Sequence, residues 1–342
     1  LAFNRRIADE MEARFPSSTS VRTFNGCGHR VWAKAIGGRQ LKVDDKKMGT
    51  LLKQETEDFK GDDRKLVRDS FLDILKACAL AKGLGYVPEG KFPTAKRLIS
   101  RDDLHRSCDL RPGTLETLLI DSLLFLSIKA SFEGWIDYND QVYMPTLFGG
   151  TFPRFPLVLI DEEQDLNPVN HEMCKKLITD RVVGVGDPWQ SIYAFRGAVQ
   201  EGMQIFQKQH NCEALDLSIS FRCPRAIVEA VHWRVPHFKW MKDGGHYVRL
   251  QTLPLLSIPE HSAVLCRNNA PLFRLAFALL SEGRGVTVAG SEIGPRLIRL
   301  LQKIGDERDD SDALCAKSDA WMNKQLEKAN APATIYDQAA CM

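Results

Sequence analysis

The end of one apolar run constrains this chain more than any other feature. Residues Leu157–Ile160 are all apolar and lead directly into Asp161 and Glu162. Such a run predicts a buried parallel strand that delivers two carboxylates to its C-terminal tip, where ligands bind in open α/β sheets. Adjacent Asp and Glu suit metal-assisted phosphoryl transfer, because one can hold Mg²⁺ while the other orients an attacking water.

A second run repeats this geometry further along the chain. Arg181–Val185 predicts a strand and Gly186 a turn after it, which exposes Asp187 and Gln190. A glutamine amide at this position can donate to a phosphate oxygen and accept from water, and the alternative is a glutamine that only stabilises the turn. We expect Asp187 to support Gln190 or the metal shell. The two runs together predict that both strand tips converge on one magnesium–triphosphate pocket.

The two runs, Asp161–Asp165 and Val185–Ala198, resemble motifs II and III of the UvrD/Rep-like superfamily 1A DNA helicases. Further segments follow in the family's order: Ala2–Met11 is similar to motif Ia, Thr23–Arg30 to motif Ib, and Ser220–Pro224 to motif IV. The Ala-Phe-Asn form of motif Ia leans toward the phage and F-box DNA helicase branch.

The resemblance implies an ATP-dependent DNA helicase or translocase that uses ATP and Mg²⁺. The fold class it implies is α/β, with RecA-like P-loop NTPase motor domains built on parallel sheets, plus a helical insertion. The implied partners are single-stranded DNA and junctions between single- and double-stranded DNA. Movement in the 3′→5′ direction follows from the family alone.

The resemblance also assigns roles around the nucleotide. Asp161 is the implied Mg²⁺ ligand, Glu162 polarises the hydrolytic water, and Gln190 senses the γ-phosphate. Phe221 stacks on adenine and Arg222 binds the γ-phosphate, a role that suits the planar, permanently charged guanidinium. Phe221 stands where the family more commonly has tyrosine, so stacking is kept and the hydroxyl's hydrogen bond is lost.

A further set of residues is implied to contact DNA. Aromatic faces grip bases without sequence preference, and Phe195 and Phe3 are expected to stack in this way. Packing in the core stays an open alternative for Phe3 and Tyr193. The DNA contacts implied by the resemblance are Phe3, Thr23, Asn25, Tyr193, Phe195 and Arg196.

The chain lacks a P-loop in the family's position. The closest match, Gly85–Phe92, has the glycine spacing and a lysine, but Phe92 cannot supply the hydroxyl that holds Mg²⁺. It also follows a helical stretch instead of a strand, so we interpret it as a chance match. We expect motif I and the late arginine motifs V and VI to lie outside these 342 residues. The chain alone is therefore expected to hydrolyse ATP negligibly.

Composition gives an ordinary globular background. The hydrophobic share is 44%, the charged share 26% and the net charge +2, which does not mark a nucleic-acid binder. The nine cysteines show no Cys-x-x-Cys spacing, which argues against zinc and for reduced thiols. No apolar run approaches the ~20 residues that span a bilayer. We expect a soluble protein that is not secreted: cytoplasmic, or nuclear in a eukaryotic host.

The motif order predicts four segments. Residues 1–37 hold part of the first RecA-like motor domain, 38–145 a helical insertion, and 146–212 the rest of that motor domain. Within the insertion, apolar residues at a spacing of three to four predict helices over Thr50–Ala81 and Gly113–Phe132. Residues 213–342 hold part of a second motor domain and the start of a 2B-like insertion, with strands expected at Ala214–Leu217 and Ala263–Cys266.

Several acidic residues carry weaker expectations. Glu163 is expected to be exposed, and Asp137 and Asp140 to serve as capping or turn residues. Two other functions stay open. The first is a non-catalytic DNA-binding or scaffold protein derived from a helicase. The second is a helicase-nuclease, which would need an acidic nuclease domain that is not visible here.

Overall fold

A computed structural model describes residues 1–2, 5–108, 113–191, 201–250, 257–266 and 269–288, and scattered positions between 302 and 323. The described chain is a mixed α/β protein whose strands pair in parallel. It forms two compact units, Leu1–Asp216 and Leu217–Met342. The predicted division into four segments stays a prediction.

The first unit contains a helical part followed by the strands that carry the candidate site. Its helices are α1 (Arg5–Arg14), α2 (Phe24–Ala35), α3 (Lys47–Glu55), α4 (Gly61–Leu84), α5 (Arg101–Ser107), α6 (Leu115–Phe132), α7 (Asp140–Leu147), α8 (Pro168–Leu177) and α9 (Gly202–His210). Its strands are β1 (Lys42–Val43), β2 (Trp135–Ile136), β3 (Phe155–Ile160) and β4 (Ile178–Gly184).

Strand β3 lies between β4 and the first residues of the chain. It pairs in parallel with β4 from Phe155↔Ile178 to Ile160↔Gly184. On its other edge the amino group of Leu1 donates to the Leu159 carbonyl, and the Asp161 N–H donates to the Leu1 carbonyl at 3.1 Å. An isolated parallel bridge then joins Ala2 to Thr23. Segments bearing motifs Ia, Ib, II and III therefore lie side by side.

One face of β3 packs against a hydrophobic core and the other does not. Val158 and Ile160 are buried in that core together with Leu166 and Met173. Leu157, on the opposite face, is 46% exposed. The prediction of a fully buried strand is therefore wrong for Leu157, because the described helices cover only one face of the strand.

A second core holds the helical part together. Helices α3, α4 and α6 contribute most of it, with Leu52, Ile74 and Leu123 nearly inaccessible. Apolar spacing over residues 50–81 predicted helix, and the structure has two helices there, because α3 ends at Glu55 and α4 begins at Gly61. Gly85 ends α4 in the left-handed conformation, so the Gly-Lys match does follow a helix.

A buried ionic cluster joins the helical part to the start of α7. Lys82 Nζ lies 2.6 Å from Asp137 Oδ2 and 2.7 Å from Asp140 Oδ1, and Lys47 Nζ lies 2.7 Å from Asp140 Oδ2. Asp137 and Asp140 also accept each other's backbone N–H at 2.8–2.9 Å. The expected turn role is therefore present. Burial of both lysines is not predictable from the sequence pattern, because lysine is almost always exposed unless it is paired.

The second unit contains one parallel pair. Strand β5 (Ile219–Pro224) pairs with β6 (Lys239–Lys242), and α10 (Arg225–Val231) and α11 (Asn269–Ser281) complete its described elements. The strands predicted at Ala214–Leu217 and Ala263–Cys266 are wrong. Residues 212–218 and 262–266 are irregular, since neither segment has a partner strand among the described residues. Motif IV itself forms the strand.

Two further properties concern the described part of the chain as a whole. Its seven cysteines are all free thiols, and three of them, Cys27, Cys78 and Cys174, are buried. None of the helices it contains is long and apolar enough to cross a membrane.

Candidate functional site

The parallel register places the ends of β3 and β4 next to each other. The Val185 N–H donates to the Ile160 carbonyl at 2.9 Å, and the Glu163 N–H donates to the Val185 carbonyl at 2.9 Å. These bonds carry the pairing past both strand ends and into the loops. Consequently the acidic residues after β3 lie beside the Gly186–Asp187 turn after β4.

Four side chains connect the two loops in one hydrogen-bonded series, which we call the strand-tip network: Glu162, Gln164, Asp187 and Gln190. Gln164 Nε2 donates to Glu162 Oε2 at 2.7 Å, while Gln164 Oε1 accepts the Asp187 N–H at 3.0 Å. Gln190 Nε2 donates to Asp187 Oδ2 at 2.7 Å. The predicted water-activating residue and the predicted phosphate sensor are thus joined through two intermediates.

Gly186 is required by this arrangement. A Cβ built on Gly186 would lie 2.4 Å from Gln164 Oε1 and 3.1 Å from the Gln164 backbone nitrogen. Real Cβ atoms essentially never lie within 3.0 Å of such a neighbour, so the contact with Gln164 Oε1 could not be kept. Any side chain at this position would therefore displace Gln164 from the network.

Glu162 adopts an uncommon backbone conformation. Its φ is 54° and its ψ 45°, which is left-handed, and it precedes a 3₁₀ turn at Glu163–Asp165. The turn is closed by the Asp165 N–H, which donates to the Glu162 carbonyl at 3.1 Å. This conformation reverses the side-chain direction between neighbours, so Glu162 is half-buried at the network while Glu163 is buried in the interior.

The strand tips supply carboxylates, the ligand type that Mg²⁺ prefers. Asp161 is half-buried at the end of β3, and Asp187 supplies a second carboxylate that already accepts the Trp189 N–H and the Gln190 amide. Mg²⁺ is commonly held by one or two carboxylates with waters completing its shell. No group of three or more His, Cys, Asp or Glu with a metal-binding arrangement occurs among the residues that the structure describes.

The prediction that Glu163 is exposed is wrong. Its side chain is 1% exposed, and Oε1 lies 4.0 Å from Nδ1 of the buried His171. Burial raises the pKa of Glu163 to about 7 and lowers the pKa of His171 to about 4. Each group is therefore favoured in its neutral form beneath the strand-tip network.

Two of the predicted DNA contacts have defined local partners. Thr23 is the N-cap of α2, where its hydroxyl accepts the Gly26 N–H at 3.0 Å. Asn25 donates its amide to the Tyr138 carbonyl at 2.6 Å. The other predicted contacts, Phe3, Tyr193, Phe195 and Arg196, lie outside the described residues.

The predicted adenine and γ-phosphate residues lie in the second unit. Phe221 is 66% exposed on β5 and Arg222 beside it is also exposed. The neighbouring Ser220 is buried, and its hydroxyl accepts the Cys223 N–H at 2.8 Å. Both predicted residues therefore face solvent on strand β5.

The sequence reasoning missed Gln164 as a site residue. Its amide nevertheless joins the loop after β3 to the loop after β4. The available signal was position: Gln164 lies two residues after Glu162, close enough for its amide to reach that carboxylate across a tight turn.

Part of the chain is similar to a known protein family. Residues 128–211, which contain the whole strand-tip network, match the UvrD/REP helicase N-terminal domain. The segment that carries the strand-tip network is thus similar to that domain of the UvrD-like helicases. The predicted leaning toward the F-box branch stays a prediction.

Three curated proteins illustrate what the chain is similar to. DNA helicase II of Haemophilus influenzae is 37% identical over 81 residues, 23% of this chain and 11% of the relative. The RecBCD enzyme subunit RecB of Mycolicibacterium smegmatis is 46% identical over 218 residues, which cover 57% of this chain and 18% of the relative. F-box DNA helicase protein 1 of Schizosaccharomyces pombe is 23% identical over 207 residues, which cover 58% of this chain and 23% of the relative. The chain thus spans less than a quarter of the length of these curated relatives.

Proposed function

We propose that this UvrD-like chain is part of an ATP-dependent DNA helicase or translocase with RecA-like motor domains. The strand-tip network carries the proposal, because it joins a water-activating carboxylate to a phosphate-sensing amide at adjacent parallel strand ends. Relatives from two bacteria and a yeast bear names of DNA helicases or of a RecBCD subunit. We further propose movement on single-stranded DNA in the 3′→5′ direction, with action at single-strand/double-strand junctions.

In this proposal each residue has a defined task. Asp161 holds Mg²⁺, which when bound neutralises charge on the transferring phosphoryl group. Glu162 accepts a hydrogen bond from the attacking water and orients it. Gln190 contacts the γ-phosphate and Asp187 holds the Gln190 amide in place at 2.7 Å. Phe221 stacks on adenine and Arg222 binds the γ-phosphate.

The DNA contacts complete the proposal. We propose that Phe3 and Phe195 stack on bases, with Tyr193 as an additional ring and Arg196 as the residue that couples nucleotide and DNA sites. Thr23 and Asn25 would act at the DNA backbone from the start of α2. Substitution of each of these residues, followed by measurement of single-stranded DNA binding, tests the proposed contacts.

The test uses the protein encoded by the complete reading frame. DNA-stimulated ATP hydrolysis is expected for the wild type, and Glu162→Gln should abolish turnover while a fluorescent ATP analogue still binds. Glu57→Gln, an exposed glutamate in the helical part, is the matched control and should behave as wild type. Unchanged turnover in Glu162→Gln would remove Glu162 from its assigned role.

The 342-residue chain provides a second arm. It contains no P-loop match in the family's position, so it should hydrolyse ATP negligibly with or without DNA. Unwinding of duplexes with a 3′ or a 5′ overhang by the complete protein then tests polarity. A complete protein that binds DNA but shows no turnover would instead support the scaffold alternative.

A further inference from the structure

Gln164 is a buried amide with both ends engaged by functional loops. Its side chain is 3% exposed. One end bonds the Glu162 carboxylate at 2.7 Å and the other accepts the Asp187 N–H at 3.0 Å. The Ser191 hydroxyl also donates to its backbone carbonyl at 3.2 Å. Gln164 thus contacts three residues in two loops.

The chemistry of the partners fixes the orientation of this amide. A backbone N–H can only donate, so Oε1 must face Asp187. The NH₂ group must then face Glu162, whose ionised carboxylate can only accept. Flipping the amide would set N–H against N–H on one side and oxygen against oxygen on the other. The bond uses Oε2 of Glu162 and leaves Oε1 of that carboxylate for a water molecule.

We propose that Gln164 is a positioning residue: it holds the Glu162 carboxylate in its water-binding orientation and ties that orientation to the loop carrying Gln190. The inference rests on the proposed function. Any displacement of the Asp187 backbone pulls on Gln164 Oε1, so a shift of the phosphate-sensing loop changes the direction of Glu162. The orientation of the Glu162 carboxylate after β3 thereby depends on the position of the loop after β4.

The first test needs no nucleotide and no turnover. Hydrogen exchange of the Asp187 amide is measured in the 342-residue chain by mass spectrometry of a peptide spanning residues 185–191. Gln164→Met keeps the side-chain length but cannot accept, so exchange should accelerate about tenfold. The control Gln209→Met, at an exposed position on α9, should leave it unchanged. Unchanged exchange in Gln164→Met would overturn the proposed link.

A second variant separates the two ends of the amide. Gln164→Glu still accepts the Asp187 N–H but sets a carboxyl group against Glu162. Exchange of the Asp187 amide should therefore stay near the wild-type rate, while turnover falls. This variant also guards against misfolding of Gln164→Met, because its loop is expected to remain intact.

Steady-state kinetics of the complete protein then test the positioning role. Gln164→Met and Gln164→Glu should each lower kcat at least about tenfold, with KM for ATP within about twofold, because orientation of the base is lost and nucleotide binding is kept. Wild-type kcat in both variants would overturn the inference while leaving Glu162→Gln inactive and the function intact. A wild-type protein without DNA-stimulated turnover would refute the proposed function, and the positioning role with it.

Discussion

Glu162 and Glu163 are neighbours in sequence, yet their carboxyl groups lie in opposite environments. Glu162 joins the strand-tip network, whereas Glu163 points at the buried His171. Helices α8 and α9 enclose the second pair, since His171 belongs to α8 and its ring lies 5.8 Å from that of Phe206 in α9. The burial of Glu163 results from tertiary packing, so it cannot be predicted from the local sequence of a charged turn.

The Glu163–His171 pair gives a prediction about pH. The Glu163 pKa is raised from 4.5 to about 7, so its stabilising contribution is complete below pH 4.5 and is lost as the pH rises to 7. The His171 pKa is lowered from 6.5 to about 4, so its contribution is complete above pH 6.5 and is lost as the pH falls to 4. The two single variants should therefore have opposite pH dependences.

The measurement is urea unfolding of the chain between pH 4 and 7.5 in EDTA. Relative to wild type at the same pH, Glu163→Gln should gain stability as the pH rises and His171→Gln as it falls, each by at most about 1.4 kcal/mol per pH unit. Nearby groups that titrate or carry charge are His210, Lys175, Cys174 and Cys212. Differences of the same sign in both variants would contradict this account.

At the scale of elements, the ionic cluster is the joint between helices α3, α4, α6 and the start of α7. Lys82→Met should destabilise the chain by about 3–5 kcal/mol, because two buried aspartates then share one lysine. Lys76→Met is the matched control on the same helix. Its partner Asp73 is exposed, so the loss should stay below about 1 kcal/mol.

Urea unfolding at neutral pH measures both variants. Adding Asp137→Asn to Lys82→Met removes the surplus negative charge and should recover part of the loss. A Lys82→Met protein as stable as Lys76→Met would show that the cluster does not hold these helices together.

The sequence predicted helices better than strands and local chemistry better than burial. Apolar spacing located α6 within residues 113–132, and the turn chemistry of Asp137 and Asp140 is present. The strand expected at Ala214–Leu217 instead forms a few residues later, at Ile219–Pro224. An extended segment becomes a strand only where a partner strand lies beside it. β6 offers that partner to Ile219–Pro224 instead.

For the candidate site, the sequence predicted the individual residues but not the hydrogen bonds between them. The two motifs predicted that one site contains Asp161, Glu162, Asp187 and Gln190. The hydrogen bonds that link them depend on Gln164, whose importance comes from a buried amide between two loops. A buried contact of this kind has no periodicity or composition that marks it in a single sequence.

At the scale of the whole molecule, the first unit holds all three hydrophobic clusters of the described residues. Residues 1–216 are therefore expected to fold without the rest of the chain. Circular dichroism of that fragment should show one cooperative thermal transition, and Cys27, Cys78 and Cys174 should resist a thiol reagent until it unfolds. A fragment in which these three thiols react at once and which melts without a transition would contradict this expectation.

The backbone at Glu162 carries a consequence for how this protein can change. A left-handed conformation costs a non-glycine residue about 1–2 kcal/mol, and glycine would adopt it without strain. Selection for heat resistance alone would thus favour glycine at this position and erase the carboxylate. Retention of a strained glutamate at this position would then indicate that selection for the chemistry of its carboxylate is stronger than selection for stability.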